Sequence, residues 1–255
     1  MEASAKSVEA FELLRSAIIT GAIGPGEPLR LAALSAKYGI SATPLREALS
    51  RLAADRFVTA SANKGWRVAV VSLEELEDLE AARLAIEASL LADSVHRGDL
   101  HWESRVVAAH YRLLNTQLPF GSDNIAVRQA WIDAHDAFHQ SLLDAAQSSW
   151  LKSFYVQTTD QLQRHHQALL FHPRAINARG KPAHSPEVRD LLATALSLDA
   201  HTRLMDVTLA RDVQTASAML AEHVEITLSV YREIAKTNPI TKGRMAKHKE
   251  ENRVD

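Results

Sequence analysis

Four of the twelve histidines in this 255-residue chain are spaced so that their imidazoles can meet. His135 and His139 are four apart, which on a helix puts both on one face. His201 and His223 each stand eleven residues from Asp212, where two helical stretches break. In an antiparallel pair of helices, equal arms place them at similar heights. Imidazoles converging from several helices bind Zn²⁺ or Ni²⁺ well. A single helical histidine is more often filler than ligand, so the metal and incidental readings both stand at this point. Asp136 lies about 100° round the helix from His135, off that face. Arg83 and Arg164 are candidate partners for a carboxylate ligand, because a guanidinium grips a carboxylate with two parallel hydrogen bonds. Arg83 has an alternative partner in Glu87, one helical turn on. Arg164 is followed by His165 and His166, and at least one of the three should face the cavity. Trp131, one turn before His135, reads as core.

A second set of residues suits nucleic acid. From about residue 43 to 54 the pattern is helical, with Leu45, Ala48, Leu49 and Leu52 on one face. Thr43, Arg46, Glu47, Ser50 and Arg51 occupy the other. Arg46 falls in the first turn, where its fork could reach guanine O6 and N7 in a major groove. Thr43 and the free amides of that helix end could hold a phosphate. Lys64, Gly65 and Arg67 sit at a hairpin tip, able to approach the backbone or the minor groove.

These residues need elements to hold them. Apolar spacing predicts a first helix over about 8–20, ended by Gly21 and Gly24-Pro25-Gly26. A short second helix carries Leu31, Leu34 and Tyr38 and stops at Gly39. Thr43 is the expected N-cap of the third helix, with Pro44 at its first position. Residues 57–59 and 66–70 read as a hairpin around 62–65. Three short helices and a hairpin describe a winged helix-turn-helix. From Ser72 the chain is helical. Ser72-Leu73-Glu74-Glu75 forms a capping box, in which serine and glutamate each satisfy an orphan amide. A long helix follows to Gly98, then stretches at about 100–115, 124–146, 149–170, 187–210 and 213–235. The fold class is mainly α: a winged helix-turn-helix (residues 1–71) followed by an antiparallel bundle of six to seven helices (72–236) for effector binding and dimerisation. A polar tail (237–255) is expected to be disordered.

Composition narrows the function. There is no cysteine, which excludes disulfides and thiolate metal sites. No apolar run approaches the roughly 20 residues that span a bilayer, and the amino terminus lacks a signal-peptide core, so a cytoplasmic protein without membrane contact is expected. The first 72 residues carry nine Lys/Arg against six Asp/Glu, and the remainder twenty against twenty-five. A basic head on an acidic body suits a polyanion-binding module joined to something else.

The run Ser41-Ala42-Thr43-Pro44-Leu45-Arg46-Glu47-Ala48-Leu49-Ser50-Arg51-Leu52 resembles the signature of the GntR family of bacterial repressors. The similarity continues through Asn63-Lys64-Gly65 to Val68. Relatives usually carry an arginine before the Thr-Pro pair, where this chain has Ala42, which implies a different operator. Residues from about 72 to 234 resemble the all-helical FCD ligand-binding domain of the FadR-type branch. The matching pieces are Arg83-Leu84-Ala85-Ile86-Glu87, Phe138-His139-Gln140-Ser141-Leu142, His201, Arg211-Asp212, Ala216 and His223. The resemblance implies that His139, His201 and His223 are the three histidines which, with an aspartate, surround a divalent ion in relatives. His135 stands in the aspartate slot. That implies either a four-imidazole site or a metal-free one whose polar groups hold the effector directly. Ser148-Ser149-Trp150-Leu151, with the His135–His139 stretch, is similar to the carbon-starvation-induced regulators, which implies small dicarboxylate effectors.

The expected function is a homodimeric transcription regulator, a repressor, that reads a palindromic double-stranded DNA operator and answers to a small carboxylate. One rival is a metal-dependent hydrolase. It lacks a His-Glu-x-x-His motif, a phosphate-binding glycine loop and a nucleophile elbow, and leaves the basic head unexplained. The other is an interaction module with no effector, in which the histidine cluster is incidental.

Overall fold

The computed structural model describes residues 2–61, 65–119, 124–170 and 185–237. Lys64, most of the hairpin tip, the loop before Pro186 and the tail beyond 237 lie outside the described residues. The described residues form two compact units, one made of residues up to 79 with 157–170, the other of 80–156 with 185–237.

The first unit begins with α1 (Glu2–Ile19), β1 (Pro28–Leu29), α2 (Leu31–Tyr38) and α3 (Ala42–Ala54), followed by β2 (Val58–Ser61) and β3 (Gly65–Val68). Phe11, Leu14 and Ile18 of α1 close on Leu45, Leu49 and Leu52 of α3, with Leu34, Val58 and Val68 completing the core. Each such side chain contributes roughly 1.5–3 kcal/mol on burial. Gly39 takes φ 68 and donates its N–H to the Ser35 carbonyl, which ends α2 and turns the chain into α3. The cap of α3 is Ser41 rather than Thr43. Pro44 is then the third helical residue, where the amide would be free in any case, so its missing N–H removes no bond. The strands form an antiparallel sheet in the order β1-β3-β2. Pro28 pairs with Arg67 and Leu29 with Trp66. A two-residue strand carries no alternation, so β1 leaves no pattern in the sequence.

The linker from the sheet is held by one buried cation. Arg164, on α7 (Ser149–Leu170), donates to the carbonyls of Ala69 at 2.9 Å and Val70 at 3.1 Å. It also lies 3.4 Å from the Glu75 carboxylate, on α4 (Leu73–Arg97). Half of the expected capping box forms: Ser72 Oγ accepts from the Glu75 amide at 3.0 Å. The Glu75 carboxylate instead faces Arg164 and His165 Nε2. Burial raises the Glu75 pKa, but His165 and Arg164 outweigh it and the net direction is down.

The second unit contains the rest of α4 and the start of α7, with α5 (Leu100–Leu114), α6 (Ile125–Leu143), α8 (Pro186–Ala195), α9 (Leu198–Leu209) and α10 (Val213–Thr237). Its core is built on Leu90, Leu91, Trp102, Phe138, Leu142 and Leu220. The single helix expected over 187–210 is two: the chain breaks at Leu196-Ser197, with no glycine or proline there to signal it. At the α4–α5 turn, Asp99 caps α5 by accepting from the Trp102 amide at 2.8 Å. The Trp102 indole donates to the Ser141 carbonyl at 2.9 Å. A methyl group at Gly98 would overlap that indole ring. Gly98→Ala is therefore expected to destabilise the chain by about 1–3 kcal/mol, read as a lower unfolding midpoint in urea. An unchanged midpoint would show that the indole is free to move aside.

Candidate metal centre and nucleic-acid interface

α6 supplies His135 and His139, α9 supplies His201 and α10 supplies His223, and one ligand atom of each lies within 4.8 Å of the others. The closest ring centroids, His135 to His139, are 4.6 Å apart, and the farthest, His135 to His223, 5.8 Å. The break that divides α8 from α9 has a local use. Ser197 caps α9, and its carbonyl accepts from His201 Nδ1 at 2.7 Å. That bond fixes the tautomer and leaves Nε2, buried and without a hydrogen bond, as a lone-pair donor. His139 is 2% exposed, and neither of its ring nitrogens is hydrogen-bonded. His135 Nδ1 lies 3.2 Å from the Asp136 carboxylate. Trp131 stacks on His135 at 4.8 Å and 24°, a core residue that forms the cluster's wall.

These donors suit a divalent ion. A Zn–N distance of about 2.0–2.1 Å sets tetrahedral ligand atoms about 3.4 Å apart, so small side-chain rotations bring the four nitrogens to binding distance. Three of the imidazoles are also held towards the neutral form that ligation needs. Burial, followed by the neighbouring His135 and His201, pushes the His139 pKa well below the usual histidine value. His201 is lowered to about 4, chiefly by burial and then by His135. His223 is likewise well below its usual value, through burial first and then His139.

Arg83 does not stand free to clamp an effector. Its Nε donates to Glu80 Oε2 at 2.8 Å, and Nη1 lies 3.6 Å from Glu87 Oε2, so the i+4 alternative is realised and a second carboxylate is added. Burial opposes the Arg83 charge, but Glu80 and Glu87 outweigh it and its pKa is raised. Arg164 and His165 belong to the first unit, the four histidines to the second. Arg164 is bound to the Ala69 and Val70 carbonyls and Glu75, and His165 to the Gln161 carbonyl and Glu75. A buried guanidinium needs several acceptors, and for Arg164 these lie some ninety residues earlier in the chain, beyond any local pattern.

In the first unit, Thr43, Arg46, Ser50 and Arg51 are exposed on α3, as are Gly65 and Arg67 on β3. One concavity brings together Arg46, Gly65, Trp66 and Arg67, and adds Arg30, which the sequence pattern did not single out. Arg30 arrives there because β1 pairs with β3. Gly65 has φ 70, and Arg67 donates to the Gly26 carbonyl at 2.9 Å. The Arg51 guanidinium lies 4.2 Å from the centre of the Phe11 ring, against α1 and outside that concavity.

A winged helix-turn-helix with an arginine-lined groove, joined in one chain to a helical unit with a buried ligand cluster, defines a ligand-responsive transcription regulator. Residues 6–68 match the bacterial regulatory proteins of the gntR family, and residues 78–226 match the FCD domain. The chain belongs to the GntR family, in its FadR-type FCD branch, whose members regulate transcription and are not enzymes. It is 31% identical over 223 residues to the HTH-type transcriptional regulator BphR of Paraburkholderia xenovorans (strain LB400), covering 88% of this chain and 84% of that one. It is 31% identical over 221 residues to the HTH-type transcriptional repressor GlaR of Escherichia coli (strain K12), covering 86% and 92%. Among solved structures, a GntR regulator from Rhodococcus sp. RHA1 superposes with a TM-score of 0.64 at 22% identity, over 92% of this chain and 99% of that one. E. coli McbR/YncC does so at 0.67 and 18%, over 91% and 99%. These two share the fold. No described helix is long and apolar enough to cross a membrane.

The depressed histidines set an acid limit. A group whose folded pKa lies below its unfolded value of about 6.5 contributes stability that is present above that value and lost as pH falls towards the folded value. For His201 the window runs from about 6.5 down to about 4. The unfolding midpoint of metal-free protein should fall steeply across it, and less so in His201→Gln. Equal pH slopes in the two proteins would show that the cluster is not held neutral by the fold.

Proposed function

We propose that this chain is a dimeric, cytoplasmic transcriptional repressor whose helical domain senses a small carboxylate through a divalent ion, Zn²⁺ or Ni²⁺, held by His135, His139, His201 and His223. The observation that carries this reading is the convergence of four imidazoles from three helices, with the Nε2 atoms of His139 and His201 buried and unbonded. When bound, the ion would offer one or two further coordination positions, which suit a carboxylate oxygen. Small dicarboxylates come first among candidates because of the sequence similarity at Ser148–Leu151. Arg83 serves this site through its two carboxylate partners and is not proposed as an effector contact, nor is Arg164. The names of GlaR and of a probable D-xylose utilization operon repressor from Paenarthrobacter nicotinovorans support repression.

On DNA, Arg46 is proposed to read a base edge. Thr43, Ser50, Lys64, Gly65 and Arg67 would position the phosphates, with Arg30 beside them. Residues 1–71 would be the DNA-binding domain and 72–236 the effector domain. Two heads on a symmetric dimer would read a palindrome. Arg51 is kept as a phosphate contact of lesser weight, since it packs on Phe11.

Gel retardation on the chain's own upstream DNA tests the head. Arg46→Ala should lose about 1–3 kcal/mol of discrimination, roughly a factor of 5–150, while thermal shifts with carboxylates stay as in the wild type. Undiminished specific affinity would remove Arg46 as a base reader. For the helical domain, dicarboxylates with Zn²⁺ should raise the wild-type melting midpoint and leave the His201→Ala/His223→Ala variant unmoved. No shift in either protein would favour an interaction module without an effector.

A further inference from the structure

His139 faces two ways, and one of them is not explained by a metal. Its Nδ1 lies 3.5 Å from Glu87 Oε1, and both Glu87 oxygens are buried without a hydrogen bond. An imidazole and a carboxylate enclosed together, neither of them hydrogen-bonded, are a donor and an acceptor one small movement from closure, and leaving that bond unmade is costly. The carboxylate is supported from behind by Arg83 Nη1 at 3.6 Å, and Arg83 is anchored in turn by Glu80 at 2.8 Å. Two other histidines of the cluster show the same polarity. His201 Nδ1 rests on the Ser197 carbonyl, and His135 Nδ1 faces Asp136. For His139 and His201 the opposite nitrogen, Nε2, is the buried, unbonded one.

We propose that Glu87 is the positioning residue of the histidine cluster: its carboxylate, steadied by Arg83, accepts the Nδ1 proton of His139 and so aims the Nε2 lone pair at a divalent cation. This role rests on the metal reading given above. An acceptor behind a ligating imidazole fixes its tautomer and orientation and makes the ligand more basic. The arrangement assigns an acceptor to each of three ligands: Glu87 to His139, Ser197 to His201 and Asp136 to His135. It also matters for charge. Four imidazoles bring no negative charge to a cation, in contrast to three with an aspartate, and Glu87 places a carboxylate immediately outside the shell.

The test uses the full chain and Zn²⁺ itself, titrated against a chromophoric chelator, with ¹⁵N NMR of the His139 ring in metal-free protein. Glu87→Ala should weaken Zn²⁺ binding by roughly 10–100-fold and turn His139 from the Nδ1–H tautomer to a mixture. Glu87→Gln, whose amide oxygen still accepts that proton, should restore the tautomer and most of the affinity, which a merely structural loss would not do. Glu87→Met, of similar volume and without an acceptor, serves where the alanine variant does not fold. Wild-type Zn²⁺ affinity in Glu87→Ala or Glu87→Met, with the tautomer unchanged, would overturn the role of Glu87 alone. A wild-type protein that takes up no Zn²⁺ would overturn the metal reading and this role with it.

Discussion

Burying an imidazole without a hydrogen bond costs free energy, and this fold does so repeatedly at one point. The Nε2 atoms of His139 and His201 are sealed from water with no partner, beside His135 and His223. Nothing in the packing of α6, α9 and α10 requires polar side chains there, since leucine or methionine would fill similar space at lower cost. The cluster is therefore a constraint that the second unit is arranged to meet. Ser197, at the break between α8 and α9, turns its carbonyl on His201. Trp131 walls His135, and Phe138 packs edge-on against His139 and His201.

The charged residues on α4 belong to the same constraint. Glu80 and Glu87 are 1% and 0% exposed, and between them sits Arg83. Burial pushes the Glu87 pKa up, with Arg83 and then His135 only partly offsetting it. Removing one member of such a group leaves an uncompensated charge, whereas the intact group is close to neutral in its effect on stability. Its value thus lies in what it aligns. The first unit uses a different device: the Arg164 guanidinium gathers the end of the sheet and the start of α4 onto α7. An effector can alter DNA binding only if its affinity differs between two arrangements of the protein.

Much of this was legible in the sequence, and what was not has physical reasons. The histidines could be paired because helical spacing and equal arms about Asp212 are local properties. The winged helix-turn-helix followed from the order of three short helices and a hairpin, punctuated by glycine and proline. The α8–α9 break left no mark, because it falls at Leu196-Ser197 with no glycine or proline to signal it. The two-residue β1 has no period, so Arg30 could not be placed beside Arg46 and Arg67. The partners of Arg164 could not be foreseen, because its acceptors are backbone carbonyls distant in sequence, and carbonyls have no signature. The capping box was half right: the Ser72 hydroxyl obeys the local rule, while Glu75 is drawn to a buried cation with more to offer.

The central claim is that four imidazoles form one metal-binding shell. Replacing any resident metal with Co²⁺ and recording the visible absorption of the protein tests it most directly. Four nitrogen ligands around the ion predict a stoichiometric d–d band, more intense than that of hydrated Co²⁺, that weakens or shifts when any one of His135, His139, His201 or His223 is replaced by alanine. Dicarboxylate should then change the band without releasing the ion. A weak spectrum like that of hydrated Co²⁺, unaffected by the four substitutions, would contradict the claim.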